Sequence, residues 1–273
     1  MIKYRLNNKT VIITGASSGI GLACVYAFHR KGAKIVMAAR NYDVIRKIEI
    51  ELNSLRDNSA LAVKTDVTVE SDCKNLIENA VGTFGGVDIL LNNAGLSMRA
   101  NFLDVDLTVL KRLMDVNFWG AVFCTRYALR YLIENKGSLA GVSSVAGLHG
   151  LPGRTGYSAS KYAMQGFMDA IRVENLKKGL HVMEIIPGFV ATNIRNTALV
   201  ADGSAQGESP REEEKMMTPE ELAAKIVKGI EERKRRLTTS YEGKLTPLIK
   251  LLCPSLLDKL YFDHMKKEPN PPI

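Results

Sequence analysis

A tyrosine and a lysine four positions apart, Tyr157 and Lys161, follow a loop rich in glycine and proline in the stretch GLPGRTGYSASKYAMQGF. Side chains at positions i and i+4 share one face of an α-helix, so a helix from about Ser158 onward would place the phenol beside the ammonium. A free tyrosine has a pKa of about 10 and transfers protons poorly at neutral pH unless a cation stabilises its phenolate. The pair is therefore a candidate proton donor with a tuning cation, and the alternative is a solvated helix face.

The pattern along the chain indicates the elements that must position this pair. From Thr10 onward, short β-rich runs such as TVIIT, AKIVMAA and GSLAGVSS alternate with longer helical segments. Such alternation predicts right-handed βαβ crossovers and a parallel sheet. We expect an α/β fold, a doubly wound parallel sheet of Rossmann-like type in a single domain with a C-terminal helical extension. Ligands bind beyond the carboxyl ends of the strands in such sheets, so the chemistry is expected in the loops that follow the apolar runs.

The expected helices include residues 19–32, 45–55, 70–83 and 107–133, the segment that carries Lys161, and one near Pro219. In the last of these, Thr218 and Glu221 have the spacing of a capping box, and Pro219 suits the first helical turn. The basic run ERKRR at residues 232–236 is expected to close the same helix, where cations suit the helix dipole. Nucleic acid is therefore not an expected partner, although the formal net charge of the chain is +8.

The composition is that of an ordinary globular protein, with 273 residues of which 46% are hydrophobic and 24% charged. The four cysteines form no CxxC pair and the four histidines show no ligand spacing, which predicts a reduced interior without a metal site. The polar residues after Met1 lack the apolar core of a secretory signal, and no run approaches the roughly 18 apolar residues of a membrane span. We expect a cytoplasmic protein.

The stretch TGASSGIG follows the first expected strand and opens a helix. Gly15 would allow the sharp turn, Gly19 would let the backbone approach a ligand, and Gly21 would let the helix pack tightly on the sheet. Backbone N–H groups at the helix N-terminus would then face a pyrophosphate. The spacing G-x-x-x-G-x-G departs from the G-x-G-x-x-G fingerprint, and a tight turn without a ligand is the alternative.

Taken together, these motifs resemble the short-chain dehydrogenase/reductase family over about residues 8 to 195. Beyond the glycine-rich turn, the family's pattern is met by NNAG at residues 92–95, by Asn117, by Ser144, by Tyr157 with Lys161, and by Pro187-Gly188 followed by Thr192. The resemblance implies an oxidoreductase that transfers a hydride between a nicotinamide and a carbonyl or alcohol. The catalytic residues that it implies are Ser144, Tyr157, Lys161 and Asn117.

Each catalytic candidate has an expected role. Ser144, at the end of GSLAGVSS, would hydrogen-bond the substrate oxygen where charge develops, and the family spacing selects it over its neighbour Ser143. Lys161 would lower the pKa of the Tyr157 phenol and hold the nicotinamide ribose. By resemblance, Asn117 would hold a water near Lys161 and complete a proton relay, whereas its simplest interpretation is a buried amide on a helix.

The resemblance also implies a set of cofactor-binding residues, which are Gly15, Ser17, Gly19, Ile20, Gly21, Arg40, Asp66, Asn93, Ala94, Gly95, Tyr157, Lys161, Pro187, Gly188, Val190 and Thr192. Within this set, Asn93 would contact the adenosine side, while Asn92 is expected to tie strands together. Asp66 would contact the adenine, and its alternative is a helix-capping carboxylate. Backbone around Gly188 and Val190 would hold the carboxamide.

The end of the second expected strand, AKIVMAAR, bears on the choice of cofactor. A carboxylate there would bind the adenosine ribose diol of NAD, but Ala39 occupies the position and Arg40 follows it. An arginine next to the ribose pairs with a 2′-phosphate, and the hydroxyl of Ser17 would add a second contact. The sequence therefore favours NADP(H), against the alternative that Arg40 is only a surface charge.

The domain organisation follows from these motifs. Residues 1–240 are expected to form the dinucleotide-binding and catalytic domain, with residues 192–217 as a mobile loop or lid. Residues 241–273 are expected to form an extension that packs on the domain beside the substrate mouth, on a partner subunit or on a membrane surface. Pro254 would break this extension into two short amphipathic pieces, and peripheral contact with an anionic membrane is its sharper interpretation.

The substrate and the partners are less well defined. Expected lining residues lie at 96–99, at 145–154 and after Thr192, and they favour a fairly large apolar carbonyl or alcohol such as a ketoacyl, steroid or retinoid-like compound. The protein is expected to form a homodimer or homotetramer. Two alternatives stay open: a dehydrogenase that works mainly in the oxidative direction, and a catalytically silent nucleotide-binding regulator or scaffold.

Overall fold

The computed structural model describes residues 4–209 and 216–272. Within these residues the chain forms one seven-stranded sheet in which every neighbouring pair is parallel, in the order β3-β2-β1-β4-β5-β6-β7. The strands are β1 Thr10–Thr14, β2 Lys34–Ala39, β3 Ala60–Lys64, β4 Ile89–Asn92, β5 Ser138–Val142, β6 His181–Ile186 and β7 Arg236–Thr238. The fold is thus the α/β, doubly wound parallel sheet that the sequence predicts, in a single domain.

Nine α-helices occur in the described part of the chain. They are α1 Gly19–Arg30, α2 Tyr42–Leu55, α3 Glu70–Phe84, α4 Leu107–Met114, α5 Gly120–Glu134, α6 Thr155–Glu174, α7 Pro219–Glu231, α8 Tyr241–Leu252 and α9 Pro254–Met265. A π-helical turn at Asp115–Trp119 joins α4 to α5, and a 3₁₀ turn at Val145–Gly147 follows β5.

Two helical layers cover the two faces of the sheet. Phe28 of α1, Leu52 of α2 and Ile226 of α7 belong to the buried core on one face. On the other face, the core includes residues of α3, α5 and α6, among them Leu76 and Leu132. The strands read as continuous hydrophobic runs because both faces are buried, as expected for a parallel sheet.

The strand order reverses between β1 and β4. After β1 the chain builds β2 and β3 on one side, and then returns to place β4 on the other side of β1, where Ile12 pairs with both Val36 and Leu90. The loops after β1 and β4 therefore diverge and leave a crevice at the carboxyl edge of the sheet. The fold thus provides a ligand-binding position at the edge where the sequence motifs lie.

The structure corrects two helix boundaries. Helix α2 begins at Tyr42 rather than residue 45, because the side chain of Asn41 accepts a hydrogen bond from the Val44 N–H at 3.4 Å and caps the helix. The expected long helix over residues 107–133 is interrupted by the π-helical turn at Asp115–Trp119. This turn carries Asn117, so the interruption coincides with a candidate site residue, as is frequent for π-turns.

The prediction that ERKRR closes a helix is wrong. Helix α7 ends at Glu231, Arg233 has a positive φ of 50°, and the short edge strand β7 begins at Arg236. Arg236 donates to the fully buried carboxylate of Glu184 on β6 through its Nε at 3.0 Å and its Nη2 at 2.7 Å. Arg236 can therefore begin this strand, because the Glu184 carboxylate on the neighbouring strand compensates its charge.

The C-terminal extension consists of α8 and α9, and the break falls at Cys253 before Pro254, where the sequence predicts it. The capping box of α7 is also confirmed, because the Glu221 N–H donates to the Thr218 hydroxyl and the Thr218 N–H donates to the Glu221 carboxylate. Among the residues that the structure describes, no helix is both long and apolar enough to cross a lipid bilayer.

Candidate active site

A cavity of about 810 Å³ lies at the carboxyl edge of the sheet. Residues at the carboxyl ends of six neighbouring strands line it. They are residues 15 and 17–20 after β1, 38–41 at the end of β2, 65–67 after β3, 93–97 after β4, 143–145 after β5 and 187–190 after β6. The motifs that the sequence analysis selected are therefore brought to one place by the parallel arrangement of the strands.

The glycine-rich turn depends on the absence of side chains. Gly15 has a φ of +65°, and a Cβ atom there would lie 3.0 Å from the Cα of Ala94. A Cβ on Gly21 would lie 2.2 Å from the carbonyl oxygen of Gly15, so the first turn of α1 packs directly on the end of β1. Gly19 has a φ of +54° and faces Thr192, whose Cγ2 would lie 3.3 Å from an added Cβ. The turn therefore abuts the segment after β6.

The N-terminus of α1 fits an anionic group. Among the described residues, no side chain caps this terminus, and its first turn carries no acidic residue. Its first N–H groups consequently retain the partial positive charge of the helix dipole at the edge of the cavity. Ser17, Gly19 and Ile20 of this terminus line the cavity. These residues suit the pyrophosphate of a dinucleotide.

The NNAG segment connects β4 to its neighbours. Asn93 Nδ2 donates to the carbonyl oxygen of Thr14 at 2.9 Å, and the Thr14 hydroxyl accepts from the N–H groups of Asn93 and Ala94 at 3.0 Å each. Asn92 instead donates to the Thr125 hydroxyl of α5 at 3.1 Å. The structure therefore corrects the prediction for Asn92: Asn93 ties the strand ends together, and Asn92 joins the sheet to a helix. Asn93, Ala94 and Gly95 all line the cavity.

The ends of β2 and β3 form the far end of the cavity. Arg40 is exposed and lines it together with Ala39 and Asp66. Burial would raise the pKa of Asp66, but hydrogen bonds from the N–H and the hydroxyl of Thr68, together with the charge of Arg40, outweigh it and hold that pKa below its ordinary value. Asp66 is not the N-cap of α3, which is Val69, so the helix-capping alternative does not describe it.

Helix α6 carries the tyrosine and the lysine. It begins at Thr155, earlier than the expected start near Ser158, so both Tyr157 and Lys161 lie within it and share one face. Nζ of Lys161 lies 5.7 Å from the centre of the Tyr157 ring. Nζ also donates to the carbonyl oxygen of Val142, the last residue of β5, at 2.8 Å. The side chain of Lys161 is therefore buried and anchored at the end of the sheet.

The two serines after β5 differ in their surroundings. The Ser143 hydroxyl is buried and accepts a hydrogen bond from Nε2 of Gln165 at 2.9 Å. Ser144 begins the 3₁₀ turn, where its hydroxyl accepts a weak bond from the Ala146 N–H at 3.2 Å, and its hydroxyl acts to lower the pKa of Tyr157. The choice of Ser144 over Ser143 is thus consistent with this geometry.

The pKa values at this end of the cavity depend mainly on burial. Burial lowers the pKa of Lys161 to about 8. Burial raises the pKa of Tyr157 above its ordinary value, and the Ser144 hydroxyl and the charge of Arg154 oppose that rise without cancelling it. In the protein without ligand, Lys161 therefore loses its charge in the mildly alkaline range, and Tyr157 keeps its proton at neutral pH.

Asn117 lies in the π-helical turn and is buried. Its Oδ1 accepts from the Leu96 N–H at 2.7 Å, and its Nδ2 donates to the Leu96 carbonyl at 3.0 Å and to the Ser160 hydroxyl at 2.9 Å. A Cβ on Gly95 would lie 3.2 Å from Asn117 Oδ1 and 3.5 Å from Lys161 Nζ. The amide thus holds the loop after β4 against α6, and its role in a proton relay stays a prediction.

The segment after β6 forms the side of the cavity opposite the NNAG segment. The Gly188 N–H donates to the Thr239 hydroxyl at 3.0 Å, and Val190 pairs with Met217 in an isolated bridge. Pro187, Gly188, Val190 and Thr192 all line the cavity. Residues 210–215 of the expected lid lie outside the described residues. In the described part of the lid, Leu199 is buried and pairs with Met98 and with Ala205.

The C-terminal helices line one side of this cavity, and the sequence placed the extension beside the substrate mouth without identifying the residues that line it. The lining residues from this region are Glu242 of α8, Tyr261, His264 and Met265 of α9, and Glu268. Tyr261 and Met265 are four apart in a helix, a signal that is visible in the sequence but does not reveal which surface the helix covers. The expected lining residues Arg99 and His149 do not line this cavity in the described structure. The ring of His149 instead stacks on Tyr261, and its Nε2 lies 3.1 Å from Oδ1 of Asp258.

A family model described as short chain dehydrogenase matches residues 9–201 of this chain. The chain belongs to this family. The matched residues include the glycine-rich turn, the NNAG segment, Ser144 and the Tyr157–Lys161 pair, so the family pattern covers the part of the cavity that lies outside the C-terminal helices. The protein is consequently an oxidoreductase of the dehydrogenase/reductase type.

Two relatives of this short-chain dehydrogenase match more of the chain than the family model does. Dehydrogenase/reductase SDR family member 7B of Mus musculus is 31% identical over 271 residues, which cover 97% of this chain and 84% of that protein. Dehydrogenase/reductase SDR family protein 7-like of Drosophila melanogaster is 32% identical over 259 residues, which cover 93% of this chain and 79% of that protein.

Solved structures share the fold of this short-chain dehydrogenase. A short-chain dehydrogenase/reductase from Burkholderia phymatum in complex with NAD superposes with a TM-score of 0.82 at 21% identity, over 93% of this chain and 96% of that chain. An alcohol dehydrogenase from Thermococcus sibiricus complexed with 5-hydroxy-NADP gives 0.75 at 24% identity, over 85% and 95% of the two chains. At these identities the likeness establishes the fold.

Proposed function

We propose that this protein is an NADP(H)-dependent oxidoreductase that acts on a fairly large apolar carbonyl or alcohol. The observation that carries the proposal is that one cavity contains both the open N-terminus of α1 and the group formed by Ser144, Tyr157 and Lys161. The first feature suits a dinucleotide and the second suits proton transfer to a substrate oxygen. A catalytically silent nucleotide-binding scaffold would need the first feature but not the second.

Each residue of the group has a part in the proposed reaction. Tyr157 donates the proton to the substrate oxygen in reduction and accepts it in oxidation. Ser144 orients that oxygen, and Lys161 supplies the positive charge that favours the phenolate and holds the nicotinamide ribose. Asn117 keeps the loop after β4 in register with α6 and belongs to the proton relay. When bound, the nicotinamide supplies the hydride chemistry, and the protein supplies position and electrostatics.

Cofactor preference is proposed from the end of β2. Ala39 leaves no carboxylate for the adenosine ribose diol, while the exposed Arg40 lies at the cavity and Ser17 lines it. A guanidinium and a hydroxyl together suit a 2′-phosphate, and Asp66 remains available for the adenine. The other cofactor-binding residues that line the cavity, such as Gly15, Gly188 and Thr192, are proposed to hold the pyrophosphate and the nicotinamide half of the dinucleotide.

The substrate side of the cavity supports an apolar substrate. Its lining includes Leu96, Val145, Leu151, Phe189 and Met265. Because α9 forms part of this wall, we propose that the C-terminal extension selects for large substrates, and that residues 192–217 act as a lid over it. Reduction is the proposed direction, and a mainly oxidative enzyme is the alternative that the same site allows.

We propose two binding surfaces, one for a second copy of the chain and one for a membrane. Aromatic residues of the π-turn, α5 and α6 form a contiguous cluster, consisting of Phe118, Trp119, Phe123 and Phe167. We propose this cluster as the interface of a homodimer or homotetramer.

The second surface is a leucine patch on α8 and α9, consisting of the exposed residues Leu245, Leu248, Leu251, Leu252, Leu256 and Leu260. Exposed lysines at 244, 259, 266 and 267 accompany the patch. The same α9 lines the cavity through Tyr261 and Met265, so the patch adjoins the substrate side. We propose that the protein is cytoplasmic and that the leucine patch contacts an anionic membrane surface.

The experiment that tests the proposed function is NADPH oxidation with a panel of carbonyl compounds of increasing size, with NADH measured in parallel. The proposal expects turnover with NADPH and higher kcat/KM for the larger apolar compounds. Turnover only with alcohols and NADP⁺ would support the oxidative alternative. Cofactor binding without any turnover would support the regulator or scaffold.

A further inference from the structure

Arg154 has a fixed position close to the catalytic tyrosine. It is the N-cap residue of α6, three positions before Tyr157, and its half-buried side chain lines the same cavity. Its Nη1 donates a hydrogen bond to the carbonyl oxygen of Met98 in the loop after β4. That loop is held in turn by a 2.8 Å hydrogen bond from the Arg99 N–H to the carbonyl oxygen of Leu199. The guanidinium therefore bridges the start of α6 and the wall of the substrate side.

Charged and titratable groups surround Tyr157 from several elements. Arg40 and Asp66 lie at the far end of the cavity, and the other groups that line it with Tyr157 and Arg154 are Lys161 of α6, Arg195 after β6, Glu242 of α8, Tyr261 and His264 of α9, and Glu268. Against the rise that burial causes, the pKa of Tyr157 is lowered by the Ser144 hydroxyl and by the charge of Arg154. Arg154, which lines the same cavity, is thus a cation whose charge favours the ionised phenol.

The two cations near Tyr157 respond differently to pH. Burial lowers the pKa of Lys161 to about 8, so this ammonium loses its charge as the pH rises through the mildly alkaline range. An arginine keeps its charge throughout that range because the guanidinium has a pKa above about 12. As the pH rises above 8, stabilisation of the phenolate therefore depends increasingly on Arg154.

The geometry points to Arg154 as a positioning residue of the reaction, an inference that rests on the oxidoreductase function proposed above. Its guanidinium holds the loop at Met98 and contributes a permanent positive charge that favours the Tyr157 phenolate. The proton transfer at Tyr157 Oη is then served by two cations: Lys161, whose charge varies in the mildly alkaline range, and Arg154, whose charge does not.

The test is a spectrophotometric titration of tyrosinate absorbance in the full-length protein without substrate. The chain has nine tyrosines, so the curve of a Tyr157→Phe variant is subtracted to isolate Tyr157. Arg154→Gln is expected to shift the Tyr157 midpoint upward by about one pH unit, since a nearby opposite charge shifts an acid by about 1 to 3. Arg154→Lys, which keeps a charge and a donor, is expected to produce less than about half of that shift.

Arg112→Gln is the matched control. Arg112 is an exposed residue of α4, which packs on α6, and it does not line the cavity, so its loss removes a guanidinium without removing the charge near Tyr157. Its midpoint is expected to equal that of the wild type. An unchanged midpoint in Arg154→Gln, or an equal shift in Arg112→Gln, would overturn the inference.

Two further measurements separate the possible causes of failure. Thermal melts establish that each variant folds, and Arg154→Met offers a second neutral side chain if Arg154→Gln does not fold. The alkaline limb of the kcat/KM profile, which reports the free enzyme, is expected to shift with the titration. If no carbonyl compound is turned over, the proposed function fails while the titration still decides the role of Arg154.

Discussion

The ammonium of Lys161 is bound to the carbonyl oxygen of Val142 at 2.8 Å, so the middle of α6 is attached to the last residue of β5. Ser144 lies two residues beyond Val142, and Tyr157 lies one helical turn before Lys161. This single bond therefore links the two segments that carry the hydroxyl groups of the site. It also explains why a buried lysine is tolerated here, because at least one of its three donors has a partner.

Removal of the Tyr157 hydroxyl is expected to abolish most turnover. The ring of a Tyr157→Phe variant would still fill its place, but no proton could be transferred to or from the substrate oxygen. We expect kcat to fall by about 10²- to 10⁴-fold while the Kd for NADPH changes little. Steady-state kinetics and a fluorescence titration with NADPH measure the two quantities.

Tyr162→Phe is the matched control for that variant. Tyr162 lies on the same helix, and its hydroxyl hydrogen-bonds the Leu148 carbonyl and Lys250 away from the cavity lining. We expect the activity of this variant to stay near that of the wild type. Comparable losses in both variants would point to a general disturbance of α6, and normal turnover in Tyr157→Phe would exclude the proposed role.

Cofactor preference is expected to reverse at the end of β2. Ala39→Asp combined with Arg40→Gln would supply a carboxylate for the ribose diol and remove the cation proposed to bind the 2′-phosphate. We expect NADPH to bind more weakly and NADH more tightly than in the wild type, as measured by isothermal titration calorimetry. Lys47→Gln, which removes an exposed cation of α2 outside the cavity lining, is expected to change neither affinity. Equal affinity of the wild type for both cofactors would contradict the proposal.

Lys161 is expected to reduce stability at neutral pH. Burial lowers the pKa of Lys161 from 10.5 to about 8, so below pH 8 the folded state carries a buried charge at a cost of about 3 kcal/mol. Between pH 8 and 10.5 the unfolded chain binds this proton more tightly than the folded state, and stability rises with pH. Lys161→Met removes this cost but also removes the hydrogen bond to Val142, which contributes about 1 kcal/mol. At pH 7 the substitution is therefore expected to raise the free energy of unfolding by about 2 kcal/mol.

The pH dependence of this gain distinguishes its cause. Urea unfolding of both proteins should show that the advantage of Lys161→Met disappears as the pH rises from 8 to 10.5. Lys259→Met, at an exposed position of α9, is expected to show no such dependence. A gain that is constant with pH would mean that packing, rather than the buried charge, sets the difference.

Self-association is expected to depend on the aromatic cluster. Trp119 is 45% exposed and lies 5.4 Å from Phe118 and 5.7 Å from Phe123, measured between ring centres. An exposed aromatic group of this kind is typical of an interface. Sedimentation velocity at micromolar concentration should show a dimer or tetramer, and Trp119→Glu should shift it toward monomer. Leu55→Glu at the exposed end of α2 serves as the control, and a monomeric wild type would contradict the proposal.

Membrane contact is expected to depend on the leucine patch. The protein should float with phosphatidylcholine vesicles that contain phosphatidylserine, and less so at high salt, because lysine contacts with anionic lipid are screened. Leu251→Ser combined with Leu252→Ser, at positions that are 80% and 67% exposed, should reduce flotation. Absence of flotation by the wild type would contradict the proposal. If the double variant instead lost self-association, the patch would be an interface between copies of this chain.

Features that depend on neighbouring residues could be predicted from the sequence. The glycine-rich turn requires positive φ at Gly15 and Gly19, and only glycine adopts such values without strain. The capping box of α7 and the break before Pro254 likewise follow from side chains within one helical turn. The alternation of apolar runs and helical segments, with ligand sites at strand ends, was enough to predict the parallel sheet and most of the cavity lining.

Features that depend on distant partners emerged only in the tertiary structure. The strand β7 was missed because Arg236 is compensated by Glu184, which lies 52 positions away along the chain. The identity of the α9 residues that line the cavity, and the contact of Arg154 with Met98, which lies 56 positions away along the chain, have the same origin. A local pattern specifies the conformation of a segment because its hydrogen bonds are made within it. The surface that the segment covers, and the charge that its side chains meet there, are decided by packing between segments remote in the sequence.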